Sequence, residues 1–113
     1  MQYMLLIYED ERQFENPDVL RDITAKHMAL VGEIGAEFVS GAGLQRTPMA
    51  TTVRTNGDGG QAVHDGPFAE TREQLGGYYL IDVPDLDAAL AWARRVPLRG
   101  TGAIEVRPLV DHG

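Results

Sequence analysis

Few side chains that can move a proton near neutral pH sit where a fold would shelter them. His27 is the first. In "DITAKHMALVGEI" it falls between Ile23 and Leu30, on the apolar stripe of a helical pattern rather than its wet face. An imidazole ordinarily titrates near ~6.5, which suits general acid–base work. A lone histidine on such a stripe is more often a satisfied core residue, yet nothing else in this helix requires a polar group there. Asp65 is the second. It opens "DGPF", a turn by its own chemistry. Asp accepts from the following amides, Gly takes unusual dihedrals, Pro fixes one, and Phe68 is expected to anchor the loop in the core. Asp65 as a turn former and Asp65 as a partner of His27 stand about even.

Other candidates are weaker. "AETREQLGG" carries Arg72. It either pairs locally on a solvated turn, the favoured reading, or points into a cleft and holds an anionic ligand. "TREQ" fits a weak capping box, with Gly76 and Gly77 ending a single helical turn. Tyr8 and Ser40 are possible hydrogen-bond groups beside a cleft, but no G-x-S-x-G elbow surrounds Ser40. His64 reads as an exposed hairpin-end residue and His112 as part of a tail. The three histidines lack metal-ligand spacing, and the chain has no cysteine. The glycines at 57–60 form a hairpin turn, not a phosphate loop, because no helix follows them. No metal and no cofactor are expected.

Charge narrows the partners. With 17 acidic and 10 basic residues the net charge is -7, which repels phosphate backbones and argues against nucleic acid. "MQYMLLIYEDERQ" has no basic leader, and its apolar run is too short to span a bilayer. A cytoplasmic protein with no membrane partner is expected. The lack of cysteine is compatible with a reducing compartment.

These residues need elements to position them. The 113 residues suffice for one domain, 1–113. "QYMLLIY" reads as a strand apolar on both faces, after which "EDERQFE" leaves the sheet. "NPDVLRDITAKHMALVGEIG" predicts a helix capped by Asn16, with Pro17 at its first position and Gly35 closing it. "AEFVSGAGLQ" predicts a second strand. "TTVRT", "NGDGG" and "QAVH" predict a hairpin. "GGYYLIDV" is the strongest strand. "PDLDAALAWARRVP" predicts a helix capped by Asp85, facing inward with Leu86, Ala89, Leu90 and Ala93 and stopped by Pro97. "AIEVRPLV" closes as a strand with Ile104 and Val106 on one face.

Strand, helix, strand, hairpin, strand, helix, strand is the order of a ferredoxin-like α+β sandwich with an inserted hairpin. Right-handed crossovers place both helices on one face of the sheet. Met4, Leu6 and Tyr8 alternate with Tyr3, Leu5 and Ile7, and Tyr79, Ile81 and Val83 with Tyr78 and Leu80, so both faces are largely apolar and the other face is too apolar to be left in water. A homodimer packing two sheets face to face, a dimeric α+β barrel, is expected. The alternative cover, the loop "RTPMATTVRTNGDGG", is too polar.

"YMLLIYED", "GAGLQ", "DGPFAETREQLGGYYLIDVPDLDAALAWA" and "IEVRPL", in this order, resemble the YCII-related family in its DGPF-domain branch. The resemblance spans almost the whole chain and implies a ferredoxin-like dimeric α+β barrel. It also implies a His/Asp active site in a cleft, with His27 at the family's helix histidine and Asp65 at the DGPF aspartate. Arg72 stands where the branch commonly has Lys, so the positive charge is kept. Ala42 stands in a Gly-x-Gly segment that often carries an acid in relatives. Genes of the branch often lie beside extracytoplasmic-function sigma factors.

Two functions follow. One is a cofactor-independent enzyme in which a His27/Asp65 pair transfers protons during elimination or isomerisation of a small polar or aromatic molecule. In it Tyr8, Ser40, Phe68 and Arg72 would contact the substrate. The other is a non-catalytic module that binds a small ligand or serves a sigma-factor system. The first requires His27 and Asp65 to lie within hydrogen-bond reach, directly or through one water.

Overall fold

A computed structural model describes residues 1–111. Six strands and two helices follow the predicted order: β1 (Gln2–Glu9), α1 (Pro17–Ile34), β2 (Phe38–Gly43), β3 (Thr51–Thr55), β4 (Gln61–Asp65), β5 (Gln74–Asp82), α2 (Leu86–Ala93) and β6 (Gly102–Pro108). The main sheet is antiparallel, in the order β2-β5-β1-β6. Strands β1 and β2 therefore flank β5, and each of the two helical crossovers skips one strand. This is an α+β architecture consistent with a ferredoxin-like fold. None of its helices is long and apolar enough to cross a membrane.

Local chemistry accounts for the helix ends. The Asn16 side chain accepts from the Asp18 amide at the start of α1, and the Gly35 amide donates to the Val31 carbonyl at its end. Asp85 caps α2 by accepting from the Ala88 amide. Residues 71–73 form no helical turn, contrary to the capping-box reading. The β5 strand begins at Gln74, and strand pairing with β1 takes the backbone groups a turn would have used.

The core lies between the helices and one face of the β1–β5 pair. Tyr3, Leu5, Ile7, Tyr79 and Ile81 project from the strands, and Leu30, Ile34, Ala89 and Ala93 meet them from the helices. Leu5 and Ile81 have no exposed surface. Ile104 and Val106 pack against the edge of this cluster as expected. Leu86 does not face inward. It is exposed at the first position of α2, while Ala89 and Ala93 carry the contact.

Strands β3 and β4 pair only with each other. Val53 and Val63 on this arm are exposed, and so is Phe68 in the loop after it, at 72 %. Phe68 therefore does not anchor the loop in the core. Its ring lies 4.9 Å from the Arg54 guanidinium, on the outside of the arm. The molecule is flat, 44 × 43 × 19 Å, with a radius of gyration of 15.8 Å. A compact chain of this length would have about 13 Å.

Leu5→Ala removes a side chain with no exposed surface from the centre of this core. It is expected to cost about 2–5 kcal/mol of unfolding free energy, read as a lower urea midpoint with an unchanged slope.

Candidate functional site

A cavity of about 540 Å³ opens between α1, the sheet and the segment after β2. The sheet supplies Ile7, Glu9 and Tyr79 from one face. Helix α1 supplies Ile23, Thr24 and His27, and the connecting segment supplies Arg46. The size is that of a small-molecule site.

His27 is half-buried on the cavity wall. Its Nδ1 lies 2.6 Å from the Tyr79 hydroxyl, and the two rings meet edge to face at 5.7 Å. Desolvation pushes the imidazole pKa below its usual 6.5, and the same burial pushes the Tyr79 phenol up to about 12. At neutral pH the pair is thus an uncharged imidazole and an intact phenol. The hydroxyl is also 3.5 Å from the His27 carbonyl, a much poorer acceptor distance. The geometry favours Tyr79 donating to Nδ1, which puts the ring proton on Nε2.

Glu9 was not expected here. The acidic segment reads as leaving the sheet from this residue on, but Glu9 is the last residue of β1 and is only 7 % exposed. It continues the inward row of Tyr3, Leu5 and Ile7. The signal was the two-residue period of the strand, which the carboxylate keeps. A register shift between β1 and β5 makes room for it beside Gly76, where any side chain would overlap the Glu9 carboxylate. Burial without a cation pushes the Glu9 pKa above its usual value.

The remaining candidates lie elsewhere. Tyr8 and Ser40 project from the opposite face of the sheet: Tyr8 follows the inward Ile7, and Ser40 pairs with Leu80, the outward neighbour of Tyr79. A one-residue offset in a strand reverses the face, so neither reaches His27. Arg72 is 73 % exposed and lies 3.7 Å from Asp10, outside this cavity. It is solvated, but its partner comes from the segment after β1 rather than from its own turn, and the two line a second cleft. Asp10 itself is held down to about 2 by its hydrogen bond from Arg12. Asp65 ends β4 on the exposed arm and does not line the cavity. Within one chain the group that meets His27 is Tyr79, not Asp65. His64 is exposed on the arm, as expected, and His112 lies outside the described residues.

The burial of His27 has a pH consequence. Its folded pKa is depressed, so below 6.5 the unfolded chain binds the proton more readily than the folded one. Stability contributed by the neutral ring is present above that value and is lost as pH falls through the folded pKa. Relative to His27→Gln, the wild-type urea midpoint is expected to drop between about pH 7 and about pH 5. In NMR titrations the His27 midpoint is expected below 6.5. It should move in Tyr79→Phe and stay fixed in Asp65→Asn. The reverse pattern would give Asp65 the role that Tyr79 holds here.

Residues 1–112 match the YCII-related domain family. An uncharacterized protein of Rhizobium meliloti (strain 1021) is 42% identical over 119 residues, an alignment that covers 96% of this chain and 92% of that protein. With an in-order match along nearly its whole length, the chain belongs to the YCII-related family.

Proposed function

We propose that the chain is a cofactor-independent catalyst of proton transfer on a small molecule held in the cavity, with His27 as the acid–base group. The observation that carries this reading is an uncharged imidazole on the wall of a ligand-sized cavity, fixed through Nδ1 by the Tyr79 hydroxyl. A general acid–base group needs a defined orientation, access to the reacting atom and a protonation equilibrium near the working pH. Tyr79 orients the ring and touches no substrate in this scheme, which makes it a positioning residue. With Nδ1 accepting from Tyr79, Nε2–H stabilises a developing oxyanion by a hydrogen bond and keeps its proton. With Nδ1–H donating to Tyr79, whose own proton turns toward the His27 carbonyl, the Nε2 lone pair takes a proton from the substrate. The imidazolium so formed returns that proton from Nε2 to another substrate atom or to the leaving group, and the ring is neutral again at the end of an isomerisation or an elimination. Asp65 has no part in this version within a single chain.

The acting unit in this proposal is a homodimer. The sheet face away from the helices carries Met4, Leu6, Tyr8, Tyr78 and Leu80, each still partly exposed. The β3–β4 arm projects apolar side chains, and the chain is more extended than its length requires. A second copy laid on this face covers both.

Deuterium exchange from D2O into small carbonyl compounds with acidic C–H groups tests the chemistry. The wild-type protein is expected to accelerate exchange for some member of the panel, and His27→Gln to lose about 10²–10⁴-fold of that rate. Compounds that bind in the cavity without exchange would instead favour a binding or regulatory module. Sedimentation tests the assembly. The wild type is expected at twice the 12.4 kDa chain mass, and Leu80→Asp at the chain mass. A wild-type monomer at micromolar concentration would remove the homodimer.

A further inference from the structure

Among the described residues, two buried side-chain polar atoms have no hydrogen-bond partner: Glu9 Oε1 and Arg46 Nε. Both residues line the His27 cavity. Buried polar groups are paired in the great majority of cases, and an orphan costs free energy. The two atoms themselves have no exposed surface, but their side chains bring a carboxyl group and a cation to one cavity wall, each short of partners within the protein, which suits a ligand with opposite character at two points.

Arg46 offers a cation. Its Nη2 reaches the exposed Glu15 only at 3.5 Å, so the charge is weakly engaged by the protein. The side chain is partly exposed, and a guanidinium is a planar fork that fits a carboxylate with two parallel hydrogen bonds. Glu9 offers a carboxyl group that no protein cation faces. It occupies the space that a side chain on residue 76 would otherwise take. A hydroxyl or amine is its chemical complement. Most of the remaining wall is apolar, Phe14, Ile23 and Phe38 included, with Glu11, Thr24 and Gln45 as its other polar side chains besides His27 and Tyr79.

We propose that the cavity takes a small carboxylic acid that also bears a hydroxyl or amine, with its carboxylate on Arg46, its donor on Glu9 and an apolar body against Phe14, Ile23 and Phe38. The proposal rests on the His27 cavity being a ligand site and names the class of ligand. Neither anchor is His27, so recognition and proton transfer separate experimentally.

Three probes sharing a phenyl body distinguish the anchors: phenyllactate with both groups, phenylpropionate without the hydroxyl, and phenylpropanediol without the carboxylate. Calorimetric titration of the wild-type protein is expected to give phenyllactate the lowest Kd, with about a tenfold or greater rise for either deletion. Arg46→Gln should erase the preference for the carboxylate and leave that for the hydroxyl. Glu9→Gln, an isosteric change, should do the opposite. Equal affinities for the three probes in the wild type, or no binding of phenyllactate at millimolar concentration, overturn the proposal without any variant having to fold. So do preferences that persist unchanged in the variants. Proton exchange is scored separately. Ligand preference without exchange leaves this proposal standing and removes the catalytic reading, and exchange without preference does the reverse.

Discussion

The packing of α1 and α2 onto one face of the β1–β5 pair is the contact on which the rest depends. Leu5 and Ile81 lie fully inside it, and burying side chains of that size provides most of the drive to fold. The same face carries the site. Glu9 is the next inward position after Ile7 on β1, and Tyr79 lies between Gly77 and Ile81 on β5. His27 occupies α1 between Ile23 and Leu30, both buried. The seam that fixes the helix against the sheet therefore also sets the height at which the imidazole meets the phenol.

Burial acts on the acid and the base of the cavity in opposite directions and for one reason. Low polarity disfavours charge, so it raises the affinity of Glu9 for its proton and lowers that of His27. Each group is held toward its neutral form. The fold gives up stability here, since an apolar side chain in place of Glu9 would need no partner. Such costs concentrate at sites of recognition and chemistry. The two orphaned atoms and the buried imidazole belong to one cavity, which is the pattern expected when the cost has a use.

Much of the frame was legible in the sequence. Asn16, Pro17 and Gly35 bound α1, Asp85 starts α2, and the Gly-rich turn between two short β-branched runs makes the arm. Local rules suffice for these. His27 was legible because a polar residue on an apolar stripe stands out. Tyr79 and Glu9 were hidden by the strand pattern. Both faces of β1 and β5 are apolar, so the sequence does not mark which alternate residues meet the helices, and that choice separates Tyr79 from Tyr78 and Ile7 from Tyr8. Glu9 looked like the first residue of an acidic loop, since only the register with β5 shows that the strand continues through it. Arg46 carried no signal at all, because its position depends on how the segment after β2 folds back. The DGPF turn misled in the other direction. Its stiffness is real, but it shapes the exit from the arm rather than the cavity, and Phe68 follows it outward.

The sheet side of the cavity is largely bare backbone. A methyl group on Gly41 would come within 2.9 Å of the Tyr78 carbonyl, and one on Gly77 within 2.8 Å of the Ala42 carbonyl. At these two positions the floor cannot acquire a side chain without moving main chain, and one at Gly76 would have to displace the Glu9 carboxylate. The opposite wall is under no such restriction, since Leu20, Thr24 and Met28 on α1 are exposed at its rim and support nothing above them. A change in what the cavity accepts is accordingly made most easily along one helix, one turn at a time, over a platform whose glycines at 41 and 77 resist substitution.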